Sequence, residues 1–486
     1  MSWKRFDMKF TCCFIFSLLL IHQWTYGQNY RAIHGSVYSS SLNVTNNPAS
    51  IVNSPTPWDV TLMSFQYQAY SNALKTGKRT FFKSPAGSTY ELNPGNFRRE
   101  MYGNVDVHLL NARIALSQRK AIAFGANIRG YGQVKTGRFN YEDSLTSMGS
   151  FLSLNENNVF EGKLESSAWI EMYASYGLTI HDRSTDRLNA AVTLKALRGI
   201  SGAMADIANI SSNTINNTGM AENHINNGNA RYGYSSNYDS WRQTRNTTAN
   251  IKDFLQRSNG SLSLDLGLEY IIKTQAVPRF DDEEHYYEYK WKIGLALLDL
   301  GWNQFAHSNN SRSVSNLRAN ISGTVLQDKF VHIRGIQSFN DSLSTIVNNI
   351  NTLPGKFRII NPARMILQID RHLHDDFYIN GELSVNLSSL AGETRLKLVE
   401  SNVVSITPRW ENRRMGAYLP LQYNRFGQFR IGAAIKYGPL LLGLHNLFGA
   451  FQNNNRYNRG GYLAIIISPS KITSKPRYKR LDCPEL

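Results

Sequence analysis

Two stretches of the sequence crowd together side chains of metal-ligating type. His372-Leu373-His374-Asp375-Asp376 sets two imidazoles beside two carboxylates, the donors that zinc and related ions take. The spacing supplies neither the remaining ligands nor the partners that would orient the rings, and an ordinary polar turn is the better reading. Asp281-Asp282-Glu283-Glu284 is dense enough for calcium but lacks the alternating ligand positions of a calcium loop, so it reads as a solvated charge run. Gly130-Tyr131-Gly132 does not open a helix after a buried strand, which removes a phosphate loop. The chain has no Gly-x-Ser-x-Gly elbow and no His-Glu-x-x-His pair. Of its three cysteines, Cys12 and Cys13 lie in an apolar leader, which leaves Cys483 without an internal disulfide partner. No metal, cofactor or catalytic group is therefore expected, and the chain is not expected to be an enzyme. What remains is Asn47-Pro48-Ala49, by residue type a turn opener in which Pro48 fixes φ ahead of the first regular element.

The elements that must position these residues are strands. Between Leu262 and Ile272 the even positions are Leu262, Leu264, Leu266, Leu268, Tyr270 and Ile272, while the odd ones include Ser263, Asp265, Gly267 and Glu269. Ala168, Ile170, Met172, Ala174, Tyr176, Leu178 and Ile180 repeat the pattern, with Trp169, Glu171, Tyr173 and Ser175 opposite. A helix would need apolar residues three and four apart, so these stretches cannot be helical without burying their carboxylates. Fourteen such segments are expected: 58–71, 103–117, 120–133, 165–180, 188–199, 261–273, 286–301, 361–371, 375–388, 402–411, 414–423, 428–437, 439–448 and 461–468. The connections alternate long and short, apart from a short eleventh. That parity is independent of the alternation that marks the strands, and it is what a transmembrane barrel with tight turns at one end and long loops at the other requires. The longest connection, about 200–260, is rich in Asn, Ser, Thr and Gly and is expected to be a solvated loop. The fold class is therefore all-β, a single closed antiparallel transmembrane barrel of about 14 strands, with Asp265, Glu269, Glu171, Lys195 and Lys436 turned to the lumen.

Composition agrees. Charged residues make up 18% of the 486, and aromatics reach 12%, with 25 Tyr and 23 Phe, a mixture suited to aromatic girdles at two membrane interfaces. Mean hydropathy is −0.37, and beyond residue 27 no run of about 18 uncharged apolar residues exists to make a spanning helix. Lys4, Arg5 and Lys9 precede an apolar core from Cys12 to Ile21 and then Thr25-Tyr26-Gly27, the grammar of a secretory signal cleaved after Gly27. The formal charge of +17 favours anionic partners such as lipid phosphates. Nucleic acid is not expected, because the basic residues are scattered through strands and turns, the one dense run being Lys475, Arg477, Lys479 and Arg480. The chain divides into a signal peptide at 1–27, a periplasmic N-terminal segment at 28–57, the barrel at 58–468 and a basic periplasmic tail at 469–486.

Gly35-Ser36-Val37-Tyr38 through Asn47-Pro48-Ala49 resembles the N-terminal motif of the long-chain fatty-acid transporter superfamily, with Asn47, Pro48 and Ala49 at the matching positions. Ser263-Leu264-Asp265-Leu266-Gly267-Leu268-Glu269-Tyr270, Leu298-Asp299-Leu300-Gly301, Leu353-Pro354-Gly355-Lys356 and Leu444-His445-Asn446-Leu447-Phe448 resemble an uncharacterised group of Bacteroidota outer-membrane barrels related to that superfamily and to type IX secretion shuttle barrels. The resemblance implies an outer-membrane channel, porin- or transporter-like, for small molecules including hydrophobic ones, with Asn47 to Ala49 at a periplasmic gate. The long polar loops and the basic tail support the alternative of a non-conducting interaction barrel, a scaffold or shuttle for secretion, adhesion or envelope proteins. Outer-membrane lipids are the expected surroundings in either case.

Overall fold

The computed structural model describes residues 30–76, 90–217, 220–242, 244–274, 286–318, 321–400, 402–424, 429–447 and 457–469. The leader at 1–27, the acidic run at 281–284 and the basic residues of the tail lie outside the described residues.

Fourteen strands form the wall: β1 Trp58–Ser71, β2 Gly95–Ser117, β3 Lys120–Tyr141, β4 Val159–Asp182, β5 Asp186–Asn217, β6 Asn259–Lys273, β7 Tyr289–Ala306, β8 Arg364–His374, β9 Phe377–Asn386, β10 Val403–Glu411, β11 Met415–Tyr418 with Leu421–Asn424, β12 Phe429–Ile431 with Ala433–Tyr437, β13 Leu440–Leu444 and β14 Tyr457–Ile467. Each is antiparallel to its neighbours. The sheet closes where β1 pairs with β2 on one edge (Phe65↔Val107) and with β14 on the other (Phe65↔Leu463). Closure follows from the solvent, since hydrocarbon offers no partner to an unpaired N–H or C=O and a sheet in lipid can keep no free edge.

The alternation read from the sequence sorts side chains in the reverse sense to a water-soluble protein. Leu262, Leu194 and Met172 are 74%, 66% and 66% exposed on the outside, whereas Gln66, Asn111, Arg113 and Asp370 are fully buried within. On β7 and β8 the outer apolar band can be measured. It runs through Ile293, Leu295, Leu297 and Leu300 beside Met365, Leu367 and Ile369, and a Trp–Arg pair bounds it at each end. Arg371 lies 4.8 Å from the Trp291 ring at the short-turn end, and Arg358 lies 5.3 Å from the Trp302 ring at the other. About ten residues of tilted strand separate the two tryptophans, roughly 25 Å along the axis, the height of an outer-membrane apolar band.

Two expectations are corrected. Residues 200–234 are not a solvated loop: β5 runs on to Asn217 and a further strand, Met220–Tyr234, returns beside it, while Arg312–Leu317 and Val347–Thr352 extend the sheet. This hairpin stands above the lipid and packs one face on Leu152, Val314 and Leu326, but a register shift beside Asn227 puts Ile225 out of phase with Ala230 and Tyr232, so its residues show no continuous apolar stripe by which a sequence could announce a strand. Likewise the segment expected to sit in the periplasm ahead of the barrel is packed inside it, with Tyr30, Arg31, Ile33, His34, Leu42, Asn47 and Ile51 all buried. Its small and polar residues suit a polar lumen, where no amphipathic helix is needed.

Candidate functional site

Residues 30–57 form a plug of three short turns, Arg31–Ile33, Ser40–Asn43 and Pro48–Ile51. Asn43 ties the plug to itself, donating through Nδ2 to the carbonyls of Ile33 (3.2 Å) and Ser36 (2.7 Å). Asn47 caps the third turn: its Oδ1 accepts from Ala49 N–H at 3.0 Å, and Pro48 takes the first position, where a missing N–H costs nothing. The same side chain reaches the wall, its Nδ2 donating to the Leu268 carbonyl at 3.0 Å. The wall is cut away to receive it. A Cβ on Gly267 would sit 2.3 Å from Asn47 Oδ1, and one on Gly294 2.8 Å from Asn47 Nδ2. On β4, a Cβ on Gly177 would meet Val52 at 2.7 Å. Ala121 and Ala123, almost wholly buried on β3, complete the socket against Val44, Ile51 and Val52.

Polar contacts fix the rest of the plug to the wall. Ser41 donates its N–H to Asp59 Oδ2 (2.6 Å), and its Oγ lies 2.9 Å from Thr61 Oγ1. Arg113 donates to the carbonyls of Ile51 (2.8 Å) and Thr56. Glu382 receives both Arg31 (2.7 Å) and His34 Nδ1 (2.6 Å). The Gly35 carbonyl accepts from Lys292 (2.7 Å) and Arg409 (3.2 Å), and Gly35 has φ 87°, so a side chain there would be strained as well as pressed on Asn380.

Beyond the plug, seven consecutive strands each contribute a charged side chain to one inner layer: Asp106, Arg129, Glu171, Lys195, Asp265, Asp299 and Arg364, from β2 to β8 in order. Asp299 is the hub, and a bulge places it. Leu297 pairs with Leu266 but Leu300 with Leu264, so Leu298 and Asp299 both face Asp265, with Asp299 in the left-handed region at φ 59°. Its carboxylate accepts from both Nη atoms of Arg129 (2.7 and 3.1 Å) and from Lys195 (2.7 Å). Arg129 also reaches Asp106 at 3.0 Å and Glu171 at 3.6 Å. Lys195 reaches Asp265 at 2.7 Å, and Arg364 reaches Glu400 at 2.6 Å. Charges buried this deeply are retained only when paired, and adjacent strands provide the pairs.

Nearer the long loops the lumen turns apolar. Tyr131 stacks on Trp169 at 5.5 Å and donates its hydroxyl to Glu400, and Phe305 covers Gly199 and Gly202, where no side chain would fit beneath the ring. Residues 387–400 fold inward to finish the layer, with Leu398 buried and Val399 N–H donating to Gln133 Oε1 at 3.2 Å. Plug, charged layer and apolar layer thus follow one another along the lumen.

The sequence motifs end up apart. His372 Nε2 lies 2.7 Å from the Asp375 carbonyl with its ring stacked on Tyr378, and His374 packs on Phe377. Both imidazoles serve the β8–β9 turn, and among the described residues no three metal-ligating side chains converge. Sequence reasoning missed the glycine socket and the Asp299 hub. The socket's one signal was Gly267 falling on the polar phase of an alternating strand.

Residues 48–445 match a family of unknown function, DUF5723. The chain belongs to that family. No curated protein matches it. Among solved structures, this DUF5723 barrel is similar to a Pseudomonas aeruginosa FadL homologue (9% identity, 91% of this chain and 98% of that one, TM-score 0.43). It is also similar to the Ralstonia pickettii toluene transporter TbuX (10%, 88% and 92%, 0.37) and the Pseudomonas putida toluene transporter TodX (11%, 92% and 94%, 0.34). Likeness this distant says nothing of what the DUF5723 chain carries.

Proposed function

We propose that the protein is an outer-membrane channel for small molecules, hydrophobic ones included, reached through a cleaved leader and gated from the periplasmic side by its N-terminal plug. One observation carries the reading. The obstruction nearest the short turns is not woven into the strand ladder; it is a separate segment seated in a glycine socket and held by side-chain hydrogen bonds such as Asn47 to Leu268. It can therefore leave while every ladder bond of the barrel survives.

A reversible lock tests this. Ser41 Oγ and Thr61 Oγ1 lie 2.9 Å apart, so Ser41→Cys with Thr61→Cys, in a Cys483→Ser background, can bridge plug to wall. In planar bilayers the oxidised protein is expected to stay closed and the reduced protein to conduct. Equal conductance in both states would refute a moving plug, and silence in both would favour the interaction barrel.

A further inference from the structure

At the long-loop end of β5 the wall changes strands: Met220–Tyr234 pairs with it as far as Ala203, and β6 takes over from Gly199. Between these two strands the chain makes a turn, Ser236–Ser240, and a helix, Thr247–Gln256. Two observations set the helix on the outer face of the barrel. On the lumen side the step is closed by Phe305, which covers Gly199 and Gly202. On the other side Arg198 shares the outward phase of Leu194, whereas Lys195 and Leu197 are buried within, and its guanidinium donates to the Leu255 carbonyl (2.6 Å) and to Ser258 Oγ (2.5 Å). The height is set as well. Arg198 stands opposite Gly260, two residues up β6 from Leu262, or about 5 Å along the axis of a tilted strand. Leu262 is level with Trp302, where the outer apolar band ends, since Ser263 pairs with Gly301. The helix is therefore moored to the outside of the wall at the upper edge of that band.

Its surface is amphipathic. Phe254 lies between Tyr238 (5.1 Å) and Trp241 (6.2 Å), each ring edge-on to it. Ile251 is one helical turn from Phe254 and Leu255, and Tyr238, Trp241 and Ile251 are each left nearly half exposed. Asp253 is taken by Arg245, whereas the exposed Arg242, Lys252 and Arg257 have no acidic side chain within 4 Å among the described residues.

We propose that this turn and helix form a foot in the head-group layer of the leaflet on the long-loop side, with Trp241 and Ile251 reaching toward its acyl region and Arg242, Lys252 and Arg257 on its phosphates. A helix that carries Trp and Ile on one side and free cations on the other settles in the plane of a membrane interface. Lipid fits better than a protein partner, because the face adjoins Leu262 and Trp302 on the surface that hydrocarbon covers and because its unpaired cations match phosphate. The foot would fix the height of the barrel in the bilayer. The inference rests on the outer-membrane placement proposed above but not on the moving plug.

The test uses the mature protein with Cys483→Ser, in nanodiscs of phosphatidylcholine and phosphatidylglycerol, where both leaflets meet the same buffer. An environment-sensitive fluorophore is attached at Ile251→Cys, at Gln256→Cys about 140° round the helix, or at Leu194→Cys in the apolar band. Quenching by lipids carrying a nitroxide near the head group is compared with quenching by aqueous iodide, and heat-modifiable migration shows that each barrel has formed. The ratio of lipid to iodide quenching is expected to be about fivefold higher at position 251 than at 256. It should fall at least twofold at 251 when Arg242→Gln, Lys252→Gln and Arg257→Gln are combined. Equal ratios at 251 and 256 would overturn the foot and leave its apolar face free for a protein; a ratio indifferent to the three glutamines would overturn the phosphate contacts. A label at position 194 open to iodide would sink the membrane placement itself, whereas lipid quenching at 194 without it at 251 would sink the foot alone.

Discussion

Gly267→Ala adds one carbon to the wall at the place where the plug presses hardest. That carbon would stand 2.3 Å from Asn47 Oδ1, 2.8 Å from Ala49 N and 3.0 Å from Pro48 Cδ, so Asn47 must retreat by about 1 Å to reach ordinary contact. The retreat stretches the 3.0 Å bond from Asn47 to the Leu268 carbonyl beyond hydrogen-bond range. Losing that bond costs about 1 kcal/mol, and overpacking a filled site costs about 1–3 more. Taking about 3 kcal/mol, the unseated population rises by roughly two orders of magnitude. Gly260→Ala on the same strand is the control, because its nearest neighbour would lie at 3.8 Å. The assay is the open fraction of single channels in planar bilayers, with hydrogen exchange over residues 40–52 read in parallel. Gly267→Ala should open the channel and deprotect the plug, and Gly260→Ala should do neither. An open fraction and exchange within twofold of the unchanged protein, on a barrel that still shows heat-modifiable migration, would refute the socket argument.

Arg129→Leu leaves Asp106, Glu171 and Asp299 without their shared cation, and a broken buried pair costs about 3–5 kcal/mol, to be read as a lower urea midpoint for refolding into vesicles. Leu266→Arg places a charge at the middle of the outer band, opposite Leu297, and should destabilise the same barrel by about 2–4 kcal/mol. Oxidation of the cysteine pair at positions 41 and 61 should close the channel reversibly, as set out above.

How far the sequence could be read depended on which solvent each face meets. Where lipid bathes one face and the lumen the other, as from Leu262 to Ile272, period-two alternation specifies strand, register phase and side together, and every strand of the wall was legible there. Above the lipid Met220–Tyr234 packs one face on Leu152, Val314 and Leu326, but the register shift between Ile225 and Asn227 puts its few apolar residues out of phase, and the strand went unread. The plug failed for a related reason. It is held by backbone carbonyls and by glycines on strands far away in sequence, so Asn47-Pro48-Ala49 showed its turn chemistry but not its socket.

The charged layer falls between these cases. Each of Asp106, Arg129, Glu171, Lys195, Asp265 and Arg364 sits on the inward phase of its own strand, so the sequence could turn them all to the lumen, but which of them meet depends on the stagger between strands. Asp299 departs from the rule, since it follows the inward Leu298 and simple alternation would send it to lipid. A carboxylate facing hydrocarbon would be expensive, and a single extra residue in β7 returns it to the lumen, where it becomes the acceptor shared by Arg129 and Lys195. The run Leu297-Leu298-Asp299-Leu300 thus records a physical conflict between pattern and charge, and the bulge is its resolution. Deleting Leu298 should remove the bulge yet leave Asp299 inward by plain alternation, opposite Asp265 and between the outward Leu297 and Leu300, so the variant should still fold into vesicles; a deletion variant that cannot fold would show that the barrel needs the bulge itself and not only an inward carboxylate.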